Sequence, residues 1–127
     1  MPFKEENFPE QCPPFDAIEQ DINPIYRIIE NDTVQEIDFL NHRERKKPYP
    51  QNKTCEALAI SFFTTAKAAS DATKRFKNLR NKKFVGGIIT SKSGIHKTEN
   101  VHLNLWLYKD VDMVKVFLGE GDGNENK

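Results

Sequence analysis

The chain has 127 residues, of which 37% are hydrophobic and 30% charged, a composition typical of a single globular domain. Nineteen basic and nineteen acidic residues cancel, so no net charge favours nucleic acid, anionic lipid or an acidic partner, and electrostatic arguments must be local. No segment approaches the roughly 20 apolar residues of a membrane span, and the N-terminal residues contain no signal-peptide-like apolar run. We therefore expect no membrane association and a cytoplasmic location.

The cysteines and histidines show no metal-ligand pattern. Cys12 and Cys55 form no CxxC pair, which predicts free thiols in a reducing compartment and no structural zinc. The histidines, His42, His96 and His102, lack the spacing of metal ligands. The sequence therefore predicts no metal cofactor.

The N-terminal part is rich in proline. Residues 1–13 are predicted to be a flexible arm unless Phe3 and Phe8 pack against the domain. Apolar residues within 14–22 recur at spacings of four or fewer, which predicts a short helix that ends before Pro24.

The middle of the chain alternates strands and helix. Residues 25–29 are rich in β-branched and aromatic side chains and predict a strand with Arg27 at its centre. A basic loop over 41–53 follows, and 58–63 predicts a buried strand. The main helix is predicted over about 65–80, because its apolar residues recur at helical spacing and its alanines permit close packing on a sheet.

The last third predicts three more strands. The first covers 84–90 and contains Gly86-Gly87, which indicates a bulge or a close backbone approach. After a turn at 91–94, the clearest periodicity of the chain follows over 101–108. Its aliphatic residues Val101, Leu103, Leu105 and Leu107 alternate with His102, Asn104, Trp106 and Tyr108. A final strand is predicted over 112–118.

These elements predict one α+β domain over 14–118, with a curved, mainly antiparallel sheet of about five strands, one main helix and the short N-terminal helix. The acidic tail, residues 119–127, is predicted to be disordered.

Two polar residues interrupt the predicted strands. Arg27 lies on the first strand, and Ser61 lies on the second, which leads through Thr64-Thr65 into the alanine-rich helix. This order resembles the first two signature elements of the Arg-Ser-Glu ADP-ribosyltransferases. The resemblance implies that the planar guanidinium of Arg27 binds the phosphates or ribose of NAD. It also implies that the Ser61 hydroxyl orders the nicotinamide end of the pocket by hydrogen bonding.

The third element of that family is a glutamate just before or at the start of a late aliphatic strand, where it stabilises an oxocarbenium-like ribose. Glu99 occupies this place, although the family's usual acidic pair is missing, and His102 nearby is the alternative catalytic group. The resemblance implies an NAD-dependent ADP-ribosyltransferase or NAD glycohydrolase, or a catalytically degenerate relative that binds NAD or a related nucleotide.

The polar face of the 101–108 strand also suits a nucleotide. Its amide and aromatic rings, Asn104, Trp106 and Tyr108, are predicted to stack on or hydrogen-bond a nicotinamide or adenine ring. The alternative is that Trp106 and Tyr108 pack under the helix or form a homodimer contact. Likewise, Arg27 has the alternative of pairing with a carboxylate, and Ser61 that of satisfying a backbone carbonyl.

Two other classes of function stay open from the sequence. Ten cations in two runs predict a basic face for nucleic acid, or else a solvated surface. They are Arg43, Arg45, Lys46 and Lys47 beside Tyr49, and Lys74, Arg75, Lys77, Arg80, Lys82 and Lys83. The third class is a non-enzymatic protein-binding domain, such as an immunity or antitoxin-like partner.

Overall fold

Five antiparallel strands form one sheet in a computed structural model, which describes residues 2–120. The strands are β1 (Ile22–Ile29), β2 (Ile60–Phe63), β3 (Lys83–Ile89), β4 (Gly94–Glu99) and β5 (His102–Leu107), and their order is β3-β1-β2-β5-β4. The helices are α1 (Thr54–Ala57), α2 (Ala66–Arg75) and α3 (Met113–Phe117), with 3-10 turns at Glu36–Phe39, Gln51–Lys53 and Lys77–Leu79. The predicted α+β class with a five-stranded antiparallel sheet is confirmed.

The main helix, α2, begins where its sequence predicts but ends at Arg75, before the predicted end near residue 80. The side chain of Thr65 accepts a hydrogen bond of 3.0 Å from the Ala68 amide, which caps the first turn. Ala69 and Ala72 are buried, because small side chains let a helix approach the sheet closely. The helix is followed by Phe76, whose backbone turns to an extended conformation before the next 3-10 turn.

The hydrophobic core lies on one face of the sheet, beneath α3 and the 3-10 turn at Glu36–Phe39. Leu103 and Leu105 of β5 are fully buried there, as their alternation predicts, together with Phe62 and Phe117. Gly87 of β3 permits this packing, since a Cβ at its position would lie 2.4 Å from the backbone oxygen of Phe117. The close approach that the paired glycines indicate is therefore made by α3.

The final strand predicted over 112–118 is wrong, because this segment is helix α3. The Asp112 side chain accepts a hydrogen bond from the Lys115 amide and so caps the helix. Met113, Val116 and Phe117 then share one buried face at helical spacing. Burial of that face outweighs the strand preference of valine. The fifth strand of the sheet is instead β4, in a segment with no strand prediction.

The short helix predicted over 14–22 is also wrong. Ile18 pairs with His96 of β4 through two backbone hydrogen bonds of 2.9 and 2.8 Å. Pro24 does not end the segment but lies within β1, where the register against β3 shifts between Ile22 and Ile25. An exposed bulge tolerates proline, because the position needs no ladder hydrogen bond.

The N-terminal arm packs against the end of β5. Phe3 bridges Tyr108, and its ring lies 5.3 Å from the rings of both Tyr108 and Phe8. Residues 1–13 are predicted to be flexible unless Phe3 and Phe8 pack against the domain. This packing is present. Of the tail predicted to be disordered, residues 121–127 lie outside the described residues.

Cys12 and Cys55 form a disulfide, so the prediction of free thiols is wrong. The bond joins the N-terminal arm to α1 across 43 residues of sequence. Spacing along the chain did not reveal this pair, because the two residues meet only after the arm folds back over the sheet. Within residues 2–120, no helix is long and apolar enough to cross a membrane.

Candidate functional site

A cleft of about 560 Å³ opens beside the junction of β1 and β2. These two strands share one register pair, Tyr26 with Phe63, whereas β1 pairs with β3 along most of its length. Arg27, Ser61 and His102 all line the cleft. The three residues come from β1, β2 and β5, which are neighbours in the sheet. The predicted residues thus meet because adjacent strands carry them to one edge of the cleft.

Arg27 is held at the point where the two strands separate. Its Nε donates to the carbonyl oxygen of Asp38 at 2.7 Å, and its Nη1 donates to that of Ser61 at 3.0 Å. Burial, and then repulsion from Arg45, lower the pKa of Arg27 to about 10, so it stays charged at neutral pH. No hydrogen bond among the described residues engages Nη2, which leaves this nitrogen for a ligand at the cleft.

Ser61 and His102 form a hydrogen-bonded pair, Oγ to Nε2, across β2 and β5. Burial lowers the pKa of His102, against an opposing effect of Glu99, so the imidazole is neutral at pH 7. In the tautomer with the proton on Nδ1, Nε2 accepts the hydroxyl proton of Ser61. Such a pair can accept a proton from a nucleophile bound in the cleft.

The opposite wall of the cleft carries further cations around one carboxylate. Glu30 accepts from Arg45 at 2.7 Å and from Lys82 at 2.8 Å. Desolvation raises the pKa of Glu30, but the hydrogen bonds from Lys82 and Arg45 outweigh it and hold the pKa at about 2. Lys47 adds another positive charge. The part of the lining contributed by the described residues therefore has four cations and one anion, an excess that attracts an anionic ligand.

His42 lines the same wall between these charges. Burial, followed by the positive charges of Lys47, Arg45 and Arg27, lowers its pKa. His42 is therefore neutral at pH 7, and the cleft carries its positive charge on the arginines and lysines. Among residues 2–120 there is no group of three or more His, Cys, Asp or Glu side chains placed to hold a metal.

Glu99 lies next to the cleft but does not line it. It is the last residue of β4 and pairs in register with His102. Its exposed side chain borders a smaller cavity of about 210 Å³, which shares His102 with the cleft. Asn104 and Trp106 border the same small cavity. His102, and not Glu99, is therefore the predicted catalytic group that the fold brings to Arg27 and Ser61.

Trp106 and Tyr108 are not brought to the cleft. They are only 2% and 6% exposed, because the N-terminal arm covers their face of the sheet. The indole of Trp106 donates to the Cys55 carbonyl at 3.0 Å, and the Tyr108 hydroxyl donates to Glu19. Burial, and then the hydrogen bond to Glu19, raise the pKa of Tyr108 to about 12. Both rings therefore make contacts within the chain. This agrees with the alternative prediction that they pack inside the fold, except that the N-terminal arm covers them and not the main helix.

Sequence reasoning missed Glu30 and His42 as cleft residues, and it treated Arg45, Lys47 and Lys82 only as members of basic runs. The density of cations in such a run does not distinguish a solvated surface from a cleft wall. The structure also pairs several cations of these runs with carboxylates. Arg43 lies 2.7 Å from Glu5, outside the cleft. This pairing reduces the continuous basic surface on which nucleic-acid binding depends.

A larger cavity, about 660 Å³, lies elsewhere, between Lys4 of the arm and α3. Its charged residues are mainly carboxylates, and it contains none of the predicted site residues.

Comparison with protein-family models, with curated proteins and with solved structures finds no match for the chain.

Proposed function

We propose that the cleft binds NAD or a related nucleotide and that the chain is an ADP-ribosyltransferase-like domain. The observation that carries the proposal is the convergence of Arg27, Ser61 and His102 on one cleft. They lie in the order of the Arg and Ser elements of that family, with His102 at the start of the strand that follows the expected glutamate.

The charge of the cleft suits a diphosphate. Arg27 is anchored through two nitrogens and offers the third, while Arg45, Lys47 and Lys82 line the other side. Because their mutual repulsion is relieved by a bound anion, these cations favour a ligand with phosphate groups. A planar guanidinium on a rigid strand is well suited to hold phosphate oxygens.

The Ser61–His102 pair supplies the chemistry. When water or an acceptor hydroxyl attacks the ribose carbon that bears nicotinamide, the carbon–nitrogen bond breaks and its electron pair leaves with nicotinamide. Ser61 accepts the proton of the attacking group and passes its own proton to His102 Nε2. This relay requires the neutral imidazole that burial favours. In a catalytically degenerate form, the same cleft binds nucleotide without this step.

Calorimetric titration of NAD tests the binding proposal. Arg27→Lys keeps the charge but loses the fork, and we expect NAD affinity to fall by about tenfold. The matched control is Arg43→Lys, because Arg43 pairs with Glu5 outside the cleft, and it should leave the affinity unchanged. Absence of NAD binding to the wild-type chain, or equal effects of the two substitutions, would contradict the proposal.

Chromatographic measurement of nicotinamide release tests the catalytic part. We expect His102→Gln to abolish release while NAD affinity changes by less than about threefold, since the relay and not the phosphate contacts is removed. Glu99→Gln should have the smaller effect, because Glu99 borders the neighbouring cavity. Binding without release in the wild-type chain would identify the degenerate form.

A cytoplasmic location, where NAD is abundant, stays part of this proposal. The disulfide is of a kind that persists mainly in oxidising compartments. Thiol labelling of the chain in cell extracts, with alkylation at the moment of lysis, distinguishes a reduced cytoplasmic form from an oxidised one.

A further inference from the structure

An apolar shelf, which we call the Phe76 ledge, lies beside the cleft. It is a shallow cavity of about 340 Å³ whose apolar lining is Phe63, Phe76, Val101 and the alanines Ala68 and Ala72 of α2. Its polar edge consists of Thr65, Lys67, Asp71 and Arg75. Phe76 is 47% exposed and Val101 45% exposed. Large apolar side chains grouped at the surface commonly mark a binding site.

The ledge and the cleft adjoin. Phe63 and Phe76 line both of them, so the two cavities lie side by side at these two rings. On the cleft side of Phe76, the next residues along the wall are Asn78, Leu79 and Lys82. The two volumes together lie within the range of sites for nucleotide-sized ligands, about 300–1,000 Å³.

The ledge also carries a cation above an aromatic ring. The guanidinium of Arg75 lies 5.5 Å from the centre of the Phe76 ring. Aromatic rings and guanidinium planes are the two kinds of surface on which nucleobases stack in proteins. Phe76 and Arg75 therefore combine both kinds at one end of the cationic cleft.

We propose that the Phe76 ledge receives the nucleobase of a nucleotide whose phosphates lie in the cleft, an inference that rests on the nucleotide-binding function proposed above. A ligand that is purely apolar brings no anion to the cations of the cleft, of which Arg45 and Lys82 share the carboxylate of Glu30. A simple phosphate leaves the ledge open to water. A nucleotide joins an anionic part to a flat apolar part and fits both surfaces at once.

Calorimetric titration with two probes tests this assignment. ADP-ribose carries a base, whereas inorganic pyrophosphate carries the charge alone. We expect Phe76→Ala to weaken ADP-ribose binding by about tenfold or more and to change pyrophosphate affinity by less than about twofold. Phe76→Tyr, which keeps the ring, should retain the wild-type affinity for ADP-ribose, and Phe76→Leu should not.

The matched control is Phe15→Ala, because Phe15 is fully exposed and lies outside both cavities. It should leave both affinities unchanged, and circular dichroism verifies that each variant is folded. Unaltered ADP-ribose binding in Phe76→Ala, or equal losses for the two probes, overturns the base-binding ledge while nucleotide binding by the cleft stands. A wild-type chain that binds pyrophosphate but not ADP-ribose also overturns the ledge. A wild-type chain that binds neither probe overturns the proposed function itself.

Discussion

Among residues 2–120, Glu30 is the only carboxylate that lines the cleft, and replacing it with glutamine should have opposite effects on stability and on ligand binding. Its oxygens accept from Arg45 and Lys82 at 2.7 and 2.8 Å. The variant Glu30→Gln keeps the shape of the side chain but removes its charge. Two partly buried cations then lose their partner, and the cleft becomes more positive. We therefore expect a less stable chain that binds anions more tightly.

The stability effect follows from the pKa of Glu30. Its pKa is about 2 in the folded chain, against an ordinary value of 4.5. The folded state therefore favours the ionised form by about 3 kcal/mol. This stabilisation is complete above about pH 4.5 and is lost as the pH falls through about 2. Because the side chain is one quarter exposed, we expect Glu30→Gln to cost about 2–3 kcal/mol near neutral pH.

The effect on binding follows from the lost negative charge. At an effective dielectric constant of about 20, a unit charge about 8 Å from a phosphate contributes about 2 kcal/mol before screening by salt. The affinity of the cleft for pyrophosphate or ADP-ribose should therefore rise by about threefold to thirtyfold at low ionic strength.

Thermal unfolding at several pH values and calorimetric titration measure these two effects. We expect Glu30→Gln to lower the melting temperature by about 8–12 °C at pH 7 and to flatten the change in stability between pH 4.5 and 2. The control Glu5→Gln removes an equal charge from an ion pair with Arg43 outside the cleft and should leave anion affinity unchanged. A Glu30→Gln variant with unchanged or weaker anion binding would refute the electrostatic reasoning.

Three further predictions concern the fold. Reducing the Cys12–Cys55 bond should lower the free energy of unfolding by about 4 kcal/mol in the loop-entropy account of a 43-residue separation, and denaturant titration with and without reductant should show equal midpoints if this is wrong. Phe62→Ala should cost about 3–5 kcal/mol because Phe62 is fully buried, whereas Phe15→Ala should cost almost nothing; comparable losses in chemical denaturation would contradict the core assignment. Gly87→Ala should destabilise by about 1–3 kcal/mol, since the added Cβ meets the backbone of α3, and an unchanged melting temperature would show that α3 packs elsewhere.

The sequence predicts an element correctly where the pattern depends on neighbouring residues alone. The alternation of leucines in β5 and the capped, alanine-bearing helix α2 are local signals, and both elements formed, although α2 ends at Arg75, before its predicted end. The prediction fails where a distant partner decides the outcome. Ile18 lies in an extended segment because β4 offers it backbone hydrogen bonds, and Cys12 meets Cys55 because the arm folds over the sheet.

The same distinction between local signals and contacts with distant segments applies to the candidate site. Arg27, Ser61 and His102 were identifiable because a polar side chain in an apolar strand, or on a polar strand face, is a local anomaly. That they share one cleft depends on the strand order, which places β1, β2 and β5 side by side. Trp106 had an equally strong local signal, but the arm covers it. Periodicity and composition thus determined which residues were candidates. Only tertiary structure decided which of them meet, because strand pairing and burial are set by contacts between segments far apart in the chain.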